Sequence, residues 1–209
     1  MSSSLGKFIT LEGTEGVGKT TNLEFIKEKL IEAGVKLTVS REPGGTPLAE
    51  ELREMLLHKR QESVDSTAEL LMVFAARAQH LNQVIKPALA RGEWVLCDRF
   101  TDATYAYQGA GRGLSVATIE SLEQLVQKEL RPDLTILLDI DVETGLARAG
   151  QRAALDRFES EEVEFFHRVR NGYQARVQQA PERYRVINAG QDLVGVQRDI
   201  DMVLAELIG

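Results

Sequence analysis

The sequence predicts an α/β fold, a parallel sheet of about five strands with helices on both faces. Short apolar runs alternate with segments of helical spacing along the whole chain, which is the pattern of parallel βα units. Two of the runs, 94–97 and 134–140, are largely apolar, as expected for strands buried on both faces. No internal repeat or low-complexity linker divides the chain, so we expect a single domain over residues 1–209.

The first βα unit lies near the amino end. Residues 8–11 form an apolar run that predicts a strand, and apolar residues at helical spacing then predict a helix to about Ala33, ended by Gly34. Residues 35–40 are predicted to form a short buried strand. Residues 41–47 contain the Gly and Pro of a turn at its carboxyl end, where open α/β sheets bind ligands.

The remaining elements continue the same alternation. A helix is predicted over 48–57, and apolar residues at helical spacing predict one long helix over 66–90, stopped by Arg91 and Gly92. The rest of the chain adds strands over 94–97, 134–140 and 184–188 and a last helix over 194–207.

The composition excludes several classes of protein. The chain has 25 Lys and Arg against 32 Asp and Glu, a net charge of −7, whereas proteins that coat nucleic acids carry a basic field. No apolar run approaches the length of a membrane span, and the first residues lack the features of a secretion signal. The single cysteine, Cys97, cannot form an internal disulfide and lies in an apolar run, so we expect it to be buried in a protein of the reducing cytoplasm.

The residues after the first strand match a phosphate-binding loop. Gly13 to Thr20 fit G-x-x-x-x-G-K-[ST], whose glycines let backbone N–H groups turn inward around an anion, while the next helix points its positive end at the same phosphates. A chance match in a glycine-containing turn is the alternative, and the flanking strand and helix disfavour it. Lys19 is expected to be a catalytic cation at the β- and γ-phosphates, and the Thr20 hydroxyl to bind Mg²⁺. The pattern predicts a P-loop NTPase-type fold that binds ATP or GTP through Gly13, Thr14, Glu15, Gly16, Val17, Gly18, Lys19, Thr20 and Thr21.

The rest of the chain favours a kinase over a GTPase. The guanine-reading motif Asn-Lys-x-Asp is absent, and the only Asp-x-x-Gly, at 192–195, is too close to the carboxyl end to serve as a γ-phosphate switch. A small-molecule kinase needs a second anion site and a cationic lid that excludes water. Arg53, Arg77 and Arg99 lead toward the carboxyl edge of the sheet, although each could instead be a solvated surface arginine.

A lid is predicted at about residues 146–160. Arg148 and Arg152 are spaced i, i+4, which places both on one face of a short helix. A basic surface helix would show the same pattern.

Six stretches together resemble the bacterial thymidylate kinase family, and the resemblance covers nearly the whole chain. Members transfer the γ-phosphoryl group of ATP to dTMP. The stretches are Glu12 to Thr21, Arg41 to Gly45, Phe74 to Arg77, Asp98 to Phe100, Ala106 to Gly109 and Pro132 to Thr135.

The resemblance implies roles for residues at the acceptor site. Phe74 would stack on thymine and Arg77 would reach a base oxygen, although the two are three residues apart here and four apart in many members, and Phe74 could also be a core residue. The other residues implied in dTMP binding are Thr104 and Gln108 at the pyrimidine edge, Tyr107 against a ribose 2′-hydroxyl, Arg53 and Arg99 at the acceptor phosphate, and Glu42 and Pro43 as pocket walls.

The middle of the loop bears on the chemistry. The resemblance places Glu15 at the dTMP sugar and Gly16 where some members carry an arginine for the transition state. Because phosphoryl transfer needs cationic charge on the moving oxygens, Arg148 and Arg152 are expected to supply it as catalytic residues together with Lys19 and Arg99.

Asp98 has two open roles. It could hold Mg²⁺ through water or orient Arg99, and the orienting role is slightly favoured. No catalytic histidine is expected, because the acceptor oxygen already belongs to an anionic phosphate.

The resulting hypothesis is a cytoplasmic, Mg²⁺-dependent ATP:dTMP phosphotransferase that acts on small molecules and binds neither nucleic acid nor membrane. A homodimer is expected through the helix at 66–90. The alternatives are a related kinase for another nucleoside monophosphate or a deoxynucleoside, or a non-enzymatic ATP-binding switch.

Overall fold

The computed structural model describes residues 6–150 and 156–209 and contains a five-stranded sheet in which every pairing is parallel. The strand order is β2-β3-β1-β4-β5. The strands are β1 (Phe8–Gly13), β2 (Leu37–Arg41), β3 (Trp94–Asp98), β4 (Leu134–Asp139) and β5 (Tyr184–Asn188). The predicted fold class, an α/β protein with a parallel sheet, is confirmed.

Helices connect the strands. They are α1 (Lys19–Glu32), α2 (Pro47–Leu57), α3 (Ser66–His80), α4 (Lys86–Ala90), α5 (Thr101–Thr104), α6 (Val116–Val126), α7 (Val142–Ala149), α8 (Val163–Gln179) and α9 (Leu193–Ile208). Two π-helical segments, Leu81–Ile85 and Tyr105–Gly111, continue α3 and α5, and a 3₁₀ turn, Pro181–Arg183, precedes β5. Among the described helices, none combines the length and the apolar character needed to cross a membrane.

Alternate residues of the central strands build two cores. Ile9, Leu11 and Leu96 pack against α1 and α9, whereas Phe8 and Val95 pack against α4 and the π-helical segment before it. This alternation follows from the pleat, which sends successive side chains to opposite faces. Both faces are therefore covered by helices, as predicted, and Cys97 is completely buried in the second core.

One strand differs from its prediction. The strand expected over 35–40 to be buried is β2, which pairs only with β3 at the edge of the sheet, and Val39 is 39% exposed. An edge strand has a neighbour on one side only, so a short apolar run did not suffice to place it in the interior. The helix predicted over 66–90 runs through α3, a π-helical segment and α4 without a break.

The strand register brings the functional segments together. Leu11 of β1 and Arg41 of β2 both lie opposite Asp98 of β3, so these strands end at the same edge. The loops that follow, beginning at Gly13, Glu42 and Arg99, therefore surround one space.

Candidate functional site

A pocket of about 250 Å³ opens at the carboxyl edge of the sheet. The phosphate loop lines one side, and α3 and the segment after β3 line the other. Arg53 of α2 and Phe158, near the end of the predicted lid segment, complete the wall. The pocket thus joins the loop to the three arginines predicted for a second anion site, because Arg77 and Arg99 also line it.

The phosphate loop has the backbone that its sequence predicts. Gly16 and Gly18 have φ angles of 72° and 86°, a region that glycine enters without steric cost, and α1 begins directly afterwards. The Lys19 ammonium donates to the carbonyl oxygens of Gly13 and Thr14 at 3.1 and 2.9 Å. Burial lowers the pKa of Lys19. Of the nine residues predicted to bind ATP, those from Glu15 to Thr20 line the pocket, and Gly13, Thr14 and Thr21 do not.

Glu15 links the loop to the opposite side of the pocket. Its Oε1 accepts from Nη2 of Arg99 at 2.7 Å and from the hydroxyl of Tyr107 at 2.8 Å. Burial alone would raise the pKa of Glu15, but the charges of Arg99 and Lys19 lower it to about 2. Glu15 is therefore a carboxylate at neutral pH, held between the phosphate loop and the opposite wall of the pocket.

The side chain of Arg99 is held in place by a chain of polar groups beneath the pocket. Its φ of 66° is unusual for a residue with a side chain and costs roughly 1 kcal/mol. Its Nη1 donates to the hydroxyl of Tyr173 at 3.3 Å, and that hydroxyl donates to Oε2 of Glu12 at 2.8 Å. Burial, with a contribution from Asp102, raises the pKa of Glu12 to about 8. A buried chain of polar groups thus fixes the direction of the Arg99 guanidinium.

Arg77 is a buried arginine with one free end. Nε donates to Glu42 at 2.7 Å and Nη2 donates to Thr104 at 2.9 Å. Glu42 is held from its other oxygen by His80 at 2.9 Å. Nη1 of Arg77 is buried and has no partner among the described residues. A buried donor without a partner is costly, so Nη1 is a candidate for binding a ligand oxygen.

Phe74 lies outside the pocket, contrary to its predicted stacking role. It is 2% exposed and packs with Leu70, Tyr105 and Ile119, whereas Val73 lines the pocket. The spacing explains the difference: with three residues rather than four to Arg77, the aromatic ring rotates about 100° around the helix, away from the ligand side. The core alternative for Phe74 holds.

The pocket wall opposite the phosphate loop contains the other predicted residues. Arg53 donates to the carbonyl oxygen of Pro43 at 2.9 Å, and both line the pocket. The pocket wall also includes Glu42, Thr104 and Gln108.

Asp98 and Thr20 could hold a divalent cation. Both line the pocket, and Oδ1 of Asp98 is buried without a partner in the part of the chain that the structure describes. Mg²⁺ binds through one or two protein oxygens and completes its shell with phosphate and water oxygens, so the two residues fit it. The expectation that Asp98 orients Arg99 gains no support, since the described hydrogen bonds of the Arg99 guanidinium go to Glu15 and Tyr173.

Gly16 faces the first turns of α7. A Cβ at Gly16 would lie 1.8 Å from the carbonyl oxygen of Gly145, and one at Gly145 would lie 2.7 Å from the carbonyl oxygen of Glu15. The loop therefore has no room for a side chain at Gly16, which explains why an arginine is missing there.

The lid residues are only partly described. Arg148 lies on α7, where its Nη1 donates to the carbonyl oxygen of Ala189 at 2.9 Å, and it does not line the pocket. Arg152 lies outside the described residues. At the end of the lid segment, Phe158 lines the pocket next to Tyr107, with the ring centroids 6.0 Å apart.

Several contributors were missed by the sequence analysis. Tyr173 gave a partial signal, because Phe165, Val169 and Tyr173 recur every four residues and predict the buried face of a helix. Nothing local indicates that its hydroxyl supports Arg99 or that Glu12 lies beneath both.

Comparisons with known proteins agree on one family. A sequence model described as thymidylate kinase matches residues 11–200. Among curated proteins, the thymidylate kinase of Teredinibacter turnerae is 68% identical over 199 residues, 95% of this chain and 97% of the relative, and that of Ectopseudomonas mendocina is 62% identical over 203 residues, 97% of each. A crystal structure of thymidylate kinase from Ehrlichia chaffeensis aligns with a TM-score of 0.77 at 36% identity, covering 95% of this chain and 98% of the other.

Proposed function

The chain belongs to the thymidylate kinase family, and we propose that it transfers the γ-phosphoryl group of ATP to dTMP, giving ADP and dTDP, within the pocket at the carboxyl edge of the sheet. The observation that carries this proposal is the shared wall of one pocket, where the phosphate loop meets Arg53, Arg77 and Arg99. A donor site and an acceptor site in one water-excluding space are what phosphoryl transfer between nucleotides requires.

The donor side is the phosphate loop. Its N–H groups and Lys19 bind the phosphates of ATP, and the bonds of Lys19 to Gly13 and Thr14 are exchanged for bonds to phosphate oxygens. Thr20 and Asp98 would hold Mg²⁺, which neutralises charge on the phosphates when it is bound. The support for Asp98 is its buried Oδ1, which has no hydrogen-bond partner among residues 6–150 and 156–209.

The acceptor phosphate is bound by Arg53 and Arg99, with Glu42 and Pro43 shaping the space. Forked guanidinium groups match the oxygens of a phosphate, and Arg99 is aimed by Tyr173. Tyr107 and Glu15 lie where a sugar would join that phosphate to the base, so a 2′-hydroxyl meets the bulk of the Tyr107 ring.

The base lies between α3 and the segment after β3. Nη1 of Arg77, which has no partner within the described part of the chain, donates to a base oxygen, and Thr104 and Gln108 complete the polar edge. Val73 and Phe100 provide apolar walls in the place expected of Phe74.

The lid supplies the cationic charge that the loop lacks. Lys19, Arg53, Arg77 and Arg99 are the cations of the described pocket wall, and the assignments above use all of them for binding. Lys19 and Arg99 contact the reacting phosphates and are proposed as catalytic residues as well, and the further charge on the moving γ-phosphoryl oxygens is assigned to Arg148 and Arg152. Reaching those oxygens requires Arg148 to leave the carbonyl of Ala189. The acceptor phosphate attacks as an anion, so no general base is needed.

A coupled assay of ADP release tests the proposal. Acceptors to compare are dTMP, dUMP, UMP, CMP, AMP and thymidine, each with ATP and Mg²⁺. The fastest turnover is expected with dTMP. A faster rate with another acceptor would assign a different kinase, and slow ATP hydrolysis that no acceptor stimulates would indicate a nucleotide switch.

The protein is further proposed to act as a cytoplasmic homodimer. Support for the dimer comes from exposed apolar side chains on the neighbouring helices α3 and α6, where Leu71, Val116 and Leu125 are 52%, 51% and 73% exposed. The reduced Cys97 suits the cytoplasm. Sedimentation that shows only monomers would overturn the dimer.

A further inference from the structure

Glu69 is a buried carboxylate that contacts both the base end of the pocket and the end of the lid segment. It lies on α3 and is completely buried. Its Oε2 accepts from Nη2 of Arg157 at 2.7 Å and lies 3.3 Å from Nη2 of Arg112. Its Oε1 accepts from Nε2 of Gln108 at 2.8 Å and from Nε of Arg112 at 3.3 Å. The side-chain amide of Gln108 is thus held by one oxygen, and Arg157 by the other.

The bond to Glu69 decides which end of the Gln108 amide is left for a ligand. A carboxylate can only accept, so the amide nitrogen must face Glu69 and the amide oxygen must occupy the opposite corner. Gln108 lines the pocket, and no described residue donates to its Oε1. Without Glu69, the amide could turn by half a rotation and present its nitrogen with almost the same shape.

The orientation of this amide matters for base selection. Thymine offers an acceptor at O4 beside a donor at N3, whereas cytosine offers a donor at N4 beside an acceptor at N3. The pocket offers the donor Nη1 of Arg77, which no described residue accepts from, and the acceptor Oε1 of Gln108. The donor pairs with O4 of thymine and the acceptor pairs with N3 of thymine. With cytosine, a donor would face the donor N4 and an acceptor would face the acceptor N3.

We infer that Glu69 is a positioning residue that sets the preference for thymine over cytosine by holding the Gln108 amide with its oxygen toward the base. The inference rests on the proposed function and specifies how the same site selects its base. Glu69 touches no substrate atom and acts only through Gln108.

The substitution Glu69→Gln tests the inference directly. Arg157 donates to Oε2 at 2.7 Å and Nη2 of Arg112 lies 3.3 Å from it, whereas Oε1 accepts from the neutral amide of Gln108 and, only at 3.3 Å, from Nε of Arg112. The oxygen of the new amide should therefore stay at the Oε2 position, where it keeps the short charge-assisted bond, and its nitrogen should face Gln108. The amide nitrogen at position 69 would then face the amide nitrogen of Gln108. The Gln108 amide therefore turns by half a rotation, so that its oxygen faces position 69 and its nitrogen faces the pocket. We expect the ratio of kcat/KM for dTMP to that for dCMP to fall about tenfold or more, mainly through a higher KM for dTMP, with the KM for ATP unchanged.

Glu161→Gln is the matched control. Glu161 pairs with Nη1 of Arg112 at 2.6 Å, so the substitution removes one charge from the same cluster without touching the amide of Gln108. Its dTMP to dCMP ratio should stay within about threefold of wild type. An equal fall in both variants, or an unchanged ratio in folded Glu69→Gln, would overturn the inference.

A second variant covers the case in which Glu69→Gln does not fold. Gln108→Leu leaves Glu69 with both arginines, and it should itself lower the ratio about tenfold or more. A ratio within about threefold of wild type would show that this amide does not read the base. Failure of the wild-type protein to phosphorylate dTMP would instead overturn the proposed function, so the two failures are distinct.

Discussion

Adding one methyl group at Gly16 should damage both stability and turnover. The Cβ of Gly16→Ala would lie 1.8 Å from the carbonyl oxygen of Gly145, and Cβ contacts below 3.0 Å essentially do not occur, so the loop and α7 must separate by the difference, about 1.2 Å. Left-handed backbone strain costs roughly 1 kcal/mol and overpacking roughly 1–3 kcal/mol more. The expected total, roughly 2–4 kcal/mol, lowers Tm by roughly 5–15 °C. A displacement of this size in the loop should lower kcat about 100-fold.

The variant Gly34→Ala measures the cost of left-handed backbone strain without the cost of a close Cβ contact. Gly34 has a φ of 79°, close to the 72° of Gly16, and a Cβ there would meet nothing within 4 Å. Its cost should be roughly 1 kcal/mol, with kcat unchanged. Thermal denaturation and steady-state kinetics of the two variants provide the measurement. If Gly16→Ala is no less stable than Gly34→Ala, the close approach of the loop and α7 is wrong.

Three further predictions concern charge. Glu12 has a folded pKa of about 8 against 4.5 when unfolded, so between these values the folded state keeps a proton that the unfolded state releases, and stability falls as pH rises by up to about 1.4 kcal/mol per unit. Denaturant titrations should show that fall in wild type and a flatter profile in Glu12→Gln; equal slopes would contradict the burial of a neutral acid. Arg148→Ala and Arg152→Ala should each lower turnover more than about tenfold, and losses within about threefold for both would exclude lid catalysis. Chelation of Mg²⁺ should abolish turnover, and Asp98→Asn should raise the Mg²⁺ concentration for half-maximal rate; an unchanged requirement would exclude Asp98 as a metal site.

The sequence was sufficient to predict the sheet and the loop, because both depend on local pattern. Apolar runs and helical spacing report burial directly, and the loop motif fixes its own backbone. The edge position of β2 could not be read in this way, since it depends on which strands pair. The π-helical segment at Leu81–Ile85 likewise could not be predicted from the sequence, because five residues within a long helix do not disturb the apolar spacing.

The candidate site was predictable where the chain passes from strand to loop. Glu15, Arg77 and Arg99 line the pocket as expected. The contacts that orient them come from residues distant in sequence: Tyr173 is 74 positions from Arg99. Such pairings follow from the packing of α8, which no local pattern determines. The stacking role of Phe74 fails for a different reason, since one residue less to Arg77 turns the ring about 100° around the helix into a core cluster.

The bond between Glu15 and Arg99 gives the pocket its own counterion. Arg99 is already neutralised by a carboxylate 2.7 Å away, one that the chain itself supplies. An acceptor phosphate that takes Nη2 of Arg99 displaces this tethered anion rather than an ion from solution. Added salt competes more weakly for a cation that is already paired and largely enclosed, and the Arg99 and Glu15 side chains are only 17% and 16% exposed. The affinity for the acceptor should therefore depend on ionic strength less steeply than the number of arginines in the pocket would suggest.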